Sequence, residues 1–323
     1  MDGNSIDVMA FDIGGTQGRC GFAHVSDQAN AAFSFSNVTA LRRNPNEQGA
    51  AWMQRLTACA KSMAMNPPGW VAISFGGPVA SDGSIRSMHV SGWEEVDLVG
   101  SVARELGVPR ENVVVENDAN AGALGESRFG AGRGYADMLY FTVSTGIGGG
   151  VILGRKLRRG AHGMAGEFGH MIMDGAPSAP QYAAGKPGAL EALASGPAME
   201  RAGRAVLSRE GRSAPDNLSA KLIFEAAEAG EKWAVDTRRK CVDFLGRGIA
   251  TTMSAYDVER VVIGGGVSLA GDALFVPLRK AVDFYLPTFM IGKVDVVAAE
   301  LGDQAPLFGA VAACLDEMAA RRA

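Results

Sequence analysis

Two glycine-rich turns contain the residues of this chain whose types and spacing could do chemistry. Residues 12–16 read DIGGT and residues 144–150 read STGIGGG, and each stretch follows an apolar run. Each turn also carries a hydroxyl, on Thr16 or on Thr145. Turns without side chains expose several backbone N–H groups that can face one anion. The repetition therefore indicates two phosphate-binding turns, although either turn alone is also typical of an ordinary glycine-rich hairpin.

Asp12 differs in kind from its neighbours in the first turn. A carboxylate at the mouth of a phosphate turn repels the phosphates unless a divalent cation lies between them, so Asp12 predicts magnesium, bound through water. The alternative is an aspartate that caps the turn. Neither turn matches the pattern G-x-x-x-x-G-K-[ST], which excludes a Walker-type nucleotide site.

A further polar group, Glu116-Asn117-Asp118, follows the apolar run from Val113 to Val115 and precedes an alanine-rich helix. In α/β proteins the carboxyl ends of the strands face the ligand crevice, so this group is a candidate site. Asn117 or Asp118 could instead cap the helix. The functional interpretation is favoured because the second phosphate turn comes one helix and one strand later.

A third set of side chains could bind hydroxyl groups. Glu167 and His170 lie three residues apart in a glycine-rich turn, and both could hydrogen-bond vicinal hydroxyls, although a single histidine is more often structural. Glu191 lies in the first turn of a predicted helix, where a carboxylate also suits the helix dipole.

Two more glycine turns follow apolar strands. Gly76 and Gly77 come after a strand over 70–75 and could bring backbone close to a ligand, although a plain loop is the alternative. Residues 264–266 are all glycine and leave room for a flat ring. Together the turns, hydroxyls and carboxylates describe a phosphoryl-transfer site, where catalysis is mostly positioning and charge neutralisation. A cleft that closes between two similar halves would exclude competing water.

The elements that must position these residues follow from the apolar periodicity. It predicts helices over 49–63, 97–106, 188–209 and 306–318, and further strands over 258–263 and 294–299. The strand, turn and strand around the first glycine turn are repeated around the second, which indicates a duplicated α/β architecture.

The composition is that of a soluble globular protein of one large or two modest domains, with 323 residues, 47% hydrophobic content and a net charge of -4. The mild acidity gives no support to binding of nucleic acid or a membrane surface. No apolar run is long enough to span a bilayer and no basic leader is present, so we expect a cytoplasmic protein. The cysteines are far apart without C-x-x-C spacing, so we expect them to be buried rather than paired: Cys20, Cys59, Cys241 and Cys314.

In order and spacing, the motifs of this chain resemble those of the ROK family of sugar kinases. The matching stretches cover nearly the whole chain and are DIGGT at 12–16, ENDAN at 116–120, STGIGGG at 144–150, GEFGH at 166–170, GGG at 264–266 and LGD at 301–303. The resemblance implies an actin-like ATPase fold, α/β in class, with an interdomain cleft. An N-terminal domain over 1–117 would be completed by a helix over about 306–323, a C-terminal domain would cover 118–305, and the protein would be a homodimer.

The resemblance also implies an ATP-dependent hexose kinase, with glucose as the first substrate to consider. Asp118 would be the base that takes the proton from the 6-hydroxyl as it attacks the γ-phosphate. The other hydroxyls would be held, next to backbone at Gly76 and Gly77, by the side chains of Asn117, Glu167, His170 and Glu191. Magnesium and phosphate would be bound by Asp12, Gly14, Gly15, Thr16, Thr145 and Gly146. The adenosine would lie against Gly264, Gly265 and Gly266.

One departure concerns the family's zinc motif, C-G-C-G-x-x-G-C-x-E. The same positions read YAAGKPGALE over residues 182–191, so every zinc cysteine is replaced while Glu191 remains. A structural zinc site needs about four ligands, and His170 alone cannot provide one. We therefore predict that the protein binds no zinc. We expect the packing of Tyr182 and the rigidity of Pro180 and Pro187 to hold this loop instead.

Another departure concerns specificity. Glucose kinases of the family often carry N-L-P-G-W where this chain has His89-Val90-Ser91-Gly92-Trp93. A histidine in place of the sugar-facing asparagine leaves mannose, fructose or an N-acetylated hexosamine open as substrates. Polyphosphate is an alternative donor, because a few relatives without the zinc cluster use it. A non-catalytic sugar-sensing regulator is the less favoured function, because the first turn begins too early in the chain for a preceding helix-turn-helix.

Overall fold

The fold is α/β and consists of two compact units, each built around one mixed sheet. The structure is a computed structural model that describes residues 5–26, 33–64, 66–80, 83–85, 93, 96–182 and 185–322. Unit 1 comprises Met1–Arg133, Leu157–Ala165 and Gln304–Ala323, and unit 2 comprises Gly134–Lys156 and Gly166–Asp303. The domain boundary after residue 117 stays a prediction of the sequence.

Unit 1 contains a five-stranded sheet in the order β3-β2-β1-β4-β5. β1 pairs antiparallel with β2 and parallel with β4, and β4 pairs parallel with β5. The strands are β1 Ser5–Ile13, β2 Gln17–Ser26, β3 Phe35–Arg42, β4 Trp70–Phe75 and β5 Val113–Asn117. The helices are α1 Gly49–Lys61, α2 Leu98–Leu106, α3 Asp118–Phe129 and, from the end of the chain, α9 Ala305–Arg322.

The central strand β1 is apolar on both sides because both faces of the sheet are covered. Successive strand side chains point to opposite faces, and Met9 and Phe11 accordingly pack in one cluster with Trp52 of α1. Val8 and Ala10 face the other way and pack in a separate cluster with the final helix α9. Burial on two faces requires the continuous apolar run seen in this strand, and it fixes the position of the turn that follows β1.

Unit 2 repeats the same arrangement with a sheet in the order β10-β9-β6-β7-β8. In each unit the first strand lies at the centre, pairs antiparallel with the second and parallel with the fourth. The strands are β6 Met138–Val143, β7 Ile147–Leu153, β8 Lys156–Leu157, β9 Arg260–Gly264 and β10 Asp295–Ala298. The helices are α4 Leu190–Ala194, α5 Gly196–Arg209, α6 Ala220–Glu228, α7 Lys232–Tyr256 and α8 Asp272–Tyr285. The predicted duplicated α/β architecture is confirmed.

The single helix predicted over 188–209 is wrong, because the chain forms α4 and α5 with a break at Ser195. The backbone of Ser195 is extended, and its Oγ accepts a hydrogen bond from Ala198 N at 3.4 Å, which caps α5. Pro197 lies in the first turn of α5, where its missing N–H costs nothing, whereas inside a continuous helix it would remove a hydrogen bond. Within the described ranges, none of the helices has the length and apolar character required to cross a membrane.

Candidate active site

The first glycine turn connects β1 to β2, and Arg43 hydrogen-bonds to its backbone carbonyls. Gly14 N donates to Gln17 O at 3.0 Å, and a Cβ atom on Gly14 would lie only 2.8 Å from that oxygen, so the turn requires glycine there. Arg43 Nε donates to Gly15 O at 2.6 Å, and its backbone N donates to Thr16 O at 3.0 Å. Thr16 remains exposed. The carbonyls of the turn are thus bound by Arg43, which the sequence did not identify.

Asp12 is fixed by both strands that flank β1. Its register partners are Arg19 on β2 and Ser74 on β4. The carboxylate accepts hydrogen bonds from Arg19 Nη1 at 3.2 Å and from Ser74 Oγ at 3.0 Å, and its side chain is 14% exposed. Asp12 therefore presents a largely buried carboxylate directly before the turn, with an arginine beside it that balances its charge.

The carboxyl ends of β1, β4 and β5 meet at one edge of the unit 1 sheet, as the sequence predicts. Ile13 aligns with Phe75, and Phe75 with Asn117. Gly76 N donates to Ile13 O at 2.9 Å. A Cβ atom on Gly76 would lie 3.6 Å from Asp118 Oδ2. The strand ends therefore bring the glycine turn that follows β4 next to the candidate base.

Asn117 and Asp118 form one hydrogen-bonded group at this edge. Asn117 Oδ1 accepts from Ala119 N at 3.0 Å and from Asn120 N at 3.1 Å, which caps α3. Its Nδ2 donates to Gly77 O at 3.0 Å and to Asp118 Oδ1 at 3.2 Å. Ala119 N also donates to Asp118 Oδ1 at 2.8 Å. The capping interpretation and the functional one are therefore compatible, because the cap orients the carboxylate of Asp118.

The second glycine turn, in unit 2, is held by α4 and by the first residue of α5. Ser144 N donates to Gly146 O at 2.9 Å, and Gly196 N donates to Ser144 O at 2.8 Å. Ile147 N donates to Glu191 Oε2 at 2.9 Å. A Cβ atom on Gly146 would lie 2.5 Å from the same oxygen, so only glycine lets the carboxylate reach the turn.

Glu191 thus does more than suit the dipole of α4. One of its oxygens holds the backbone directly after the second glycine turn, and among the described residues its other oxygen has no hydrogen-bond partner. Ser144 and Thr145 remain exposed. The hydroxyls of the turn are therefore accessible while its backbone is fixed from behind.

The third glycine turn packs against the second. Gly265 has φ +84° and ψ 168°, and a Cβ atom there would lie 2.5 to 2.7 Å from the backbone of Val143, the last residue of β6. A Cβ atom on Gly266 would lie 3.7 Å from Ser144 Oγ. Unit 2 therefore brings the predicted adenosine segment and the predicted phosphate turn together.

Gly149 of β7 makes room for an aromatic side chain of the same unit. Gly149 lies within the strand, where a Cβ atom would overlap the ring of Phe168. That ring is buried and stacks on Phe141, with the centroids 4.5 Å apart. The bulky group that Gly149 admits is Phe168, and its insertion fixes the turn that carries Glu167 and His170.

Glu167 and His170 lie side by side on the surface of unit 2. His170 Nε2 and Glu167 Oε2 are 3.7 Å apart, and the two side chains are 46% and 44% exposed. A Cβ atom on Gly185 would lie 3.7 Å from His170 Nδ1. The pair is therefore placed together and open to a ligand.

The loop that follows His170 carries other residues at the cysteine positions of the zinc motif. Tyr182 stands at the first cysteine position and packs under Arg201, whose Cζ lies 4.8 Å from the ring centroid. Gly185 N donates to Tyr182 O at 3.1 Å. Within the part of the chain that the structure describes, no three metal-binding side chains converge. Two positions of the zinc motif, Ala183 and Ala184, and the specificity segment His89 to Gly92 lie outside the described residues.

The chain is similar along most of its length to known proteins. A family model described as the ROK family matches residues 8–317. The glucokinase of Thermotoga maritima is 38% identical over 250 residues, which cover 74% of this chain and 77% of that protein. The glucokinase of Streptomyces coelicolor is 39% identical over 229 residues, which cover 68% of this chain and 71% of that protein.

A solved structure gives the same result for the fold. The ROK family glucokinase from Streptomyces griseus, in complex with glucose and AMPPNP, is 33% identical and superposes with a TM-score of 0.75. The match covers 94% of this chain and 97% of that one.

Proposed function

The chain belongs to the ROK family, and we propose that it transfers the γ-phosphate of ATP to the 6-hydroxyl of glucose, with Asp118 as the general base. It is an ATP-dependent sugar kinase with the actin-like ATPase fold. The similarity to two glucokinases and to a glucokinase that holds glucose and AMPPNP supports glucose and ATP as the substrates.

The observation that carries the mechanism is the orientation of the Asp118 carboxylate. Oδ1 is bound by Ala119 N and Asn117 Nδ2, and Oδ2 faces the turn at Gly76. A base that is already oriented loses no free energy to reorganisation when the reaction begins. Asp118 takes the hydroxyl proton as the sugar oxygen bonds to the γ-phosphorus. The bond between that phosphorus and its bridging oxygen breaks, which yields ADP and the sugar 6-phosphate.

The phosphates are proposed to bind at the two held turns, through Gly14, Gly15 and Thr16 in unit 1 and through Thr145 and Gly146 in unit 2. Asp12 fits magnesium because it offers hard carboxylate oxygens directly before the first turn. When bound, the ion neutralises phosphate charge. The adenosine is proposed to lie at Gly264, Gly265 and Gly266, beside the second turn.

The sugar hydroxyls are proposed to bind at the open pair of Glu167 and His170, at the second carboxylate oxygen of Glu191, and at Asn117 with the backbone of Gly76 and Gly77. Both donors of the Asn117 amide are already used within the chain. A sugar hydroxyl would therefore have to replace Gly77 O or Asp118 Oδ1 as an acceptor, or share one of these two N–H groups with it.

Further proposals concern location, assembly and metal content. We propose a cytoplasmic homodimer without structural zinc. Burial of exposed apolar side chains would stabilise such a dimer, and Leu269, Phe284 and Phe289 of unit 2 are 84%, 79% and 70% exposed. Sedimentation of the purified protein tests the dimer and metal analysis tests the absence of zinc, which one tightly bound zinc ion per chain would overturn.

The decisive experiment combines a substrate panel with one variant. Purified protein is incubated with magnesium, with ATP or polyphosphate, and with glucose, mannose, fructose and N-acetylated hexosamines, and sugar phosphate is measured. Asp118→Asn should keep glucose affinity while kcat falls by about 10²-fold or more, the effect of removing a positioned base. Asp216→Asn, at an exposed loop position before α6, should leave kcat unchanged. Normal turnover in Asp118→Asn would exclude the proposed base.

A further inference from the structure

We infer that Arg159 is a positioning residue for the base. It acts through Glu116, whose buried carboxylate holds the backbone and side chains around Asp118. The inference rests on the proposed function in one respect, namely the role of Asp118, and adds a residue to which that proposal assigns nothing.

Glu116 is almost completely buried and fully hydrogen-bonded. It is 4% exposed. Its Oε1 accepts from Asn117 N at 3.0 Å and from Asn120 Nδ2 at 3.1 Å. Its Oε2 accepts from Arg159 Nε at 2.7 Å. The carboxylate therefore binds Asn117, the residue before Asp118, and Asn120 in the first turn of α3. That helix carries the base.

Asn120 depends on this arrangement. Its side chain is buried, and Oδ1 has no hydrogen-bond partner among the described residues. The side chain is therefore held through Nδ2 by Glu116, while its backbone N is bound by the cap residue Asn117. Movement of Glu116 would release both the strand end and the start of α3.

Arg159 supplies the positive charge that pairs with the buried carboxylate of Glu116. Removing one partner of a buried pair leaves an uncompensated charge and is far more costly than replacing both partners. The side chain of Arg159 is 52% exposed whereas that of Glu116 is 5% exposed. Arg159 thus reaches from the surface to a buried acceptor, and its planar guanidinium donates a directed bond that an ammonium cannot match.

The segment that carries Arg159 is shaped for this contact. Residues 157–165 belong to unit 1, although the chain on either side belongs to unit 2. Ala165 N donates to Arg159 O at 3.0 Å, which closes the segment into a loop. Gly163 has φ +72°, and a Cβ atom there would lie 2.9 Å from Val79 O. The loop is therefore packed against unit 1 and delivers Arg159 to Glu116.

The test compares Arg159→Met, Arg159→Lys and the double variant Glu116→Gln with Arg159→Met. In Arg159→Met, kcat should fall by about 10-fold to 100-fold, the range expected when a base shifts by a fraction of an ångström to an ångström. The KM for ATP should stay constant, since the phosphate turns are untouched. Arg159→Lys should regain part of kcat. The double variant should have a higher kcat than Arg159→Met, because it leaves no unpaired buried charge.

Arg110→Met is the matched control. Arg110 is paired with Asp97 and begins the short helical turn Arg110–Asn112 before β5, at the end of the strand remote from Asp118. Loss of this pair should leave kcat unchanged.

Hydrogen exchange of residues 113–124 gives a second readout that does not depend on activity. Amides at 117–120 should exchange faster in Arg159→Met than in wild type or in Arg110→Met.

Unchanged kcat and unchanged exchange in Arg159→Met would overturn the inference, as would an equal loss of kcat in the Arg110→Met control. A wild-type protein that phosphorylates no hexose would instead refute the proposed function. In that case hydrogen exchange alone still decides whether Arg159 positions the strand end.

Discussion

Replacement of Gly265 by alanine gives the strongest test of how unit 2 builds its proposed nucleotide turn. Gly265 has φ +84°, a conformation that residues with side chains rarely adopt. A Cβ atom would also lie 2.5 Å from O, 2.7 Å from C and 2.7 Å from N of Val143. Those atoms belong to the backbone of the central strand β6, so they cannot rotate away as a flexible side chain could.

The expected cost has two parts. A side chain held in a sparsely populated backbone region costs on the order of 1–3 kcal/mol. Forcing an extra carbon into a packed region costs roughly 1–3 kcal/mol more. The free energy of unfolding of unit 2 should therefore fall by roughly 2–6 kcal/mol in Gly265→Ala.

The control separates these two parts. Gly230, between α6 and α7, has φ +83°, but no atom of the described residues lies within 4 Å of the position that a Cβ atom would take there. Gly230→Ala should therefore cost only the backbone term, about 1–2 kcal/mol. Urea denaturation followed by circular dichroism measures both variants. Calorimetric titration with AMPPNP should show at least about 10-fold weaker binding for Gly265→Ala, since displacement of Val143 moves the adjoining phosphate turn.

An equal loss of stability in the two variants would refute the steric argument, because it would mean that the contact with Val143 adds nothing. Normal AMPPNP affinity in a destabilised Gly265→Ala protein would refute the link between this glycine and the nucleotide site. Both outcomes are read from the same purified variants.

Further predictions concern single side chains. Burial raises the pKa of Cys241 to about 12 and raises the pKa values of Cys20 and Cys314 as well, so a thiol reagent should label only the half-buried Cys59 in the folded protein; rapid labelling of any of the other three would contradict this. The hydrogen bond from Arg110, followed by that from Gly100 N, holds the pKa of Asp97 below 3.8. This pair should stabilise the protein at neutral pH, and the difference in melting temperature between wild type and Arg110→Met should disappear as the pH falls through that lowered value; a difference that persists in acid would contradict it. Glu191→Ala should weaken AMPPNP binding, because Ile147 N loses its buried acceptor at a cost of about 1–3 kcal/mol, and unchanged affinity would show that the carboxylate does not hold the turn.

The linear pattern of the chain predicted most of the elements. The strand Trp70–Phe75 lies where its apolar run and following glycines place it. The helix over 97–106 is observed as α2, with Asp97 as its N-cap and Gly107 as a left-handed C-cap. α8 was not predicted, because Pro277 lies inside it and proline normally argues against a helix. Packing of Leu274, Phe275 and Leu278 into the core of unit 2 outweighs that local preference.

The sequence by itself determined the class of fold and the family, because repeated strand and turn patterns, glycines at fixed spacing and strand-end carboxylates are local properties that can be read along the chain. It also determined which residues are candidates for the site. These features require no knowledge of which distant segments touch.

Only the tertiary structure decided how the candidates are held. Arg159 reaches Glu116 across 43 positions in the chain, and Glu191 reaches Ile147 across 44. Phe168, not an anion, fills the space left by Gly149. Each of these contacts depends on the directions of side chains brought together by sheet register and helix packing, and periodicity along a chain carries no information about such directions.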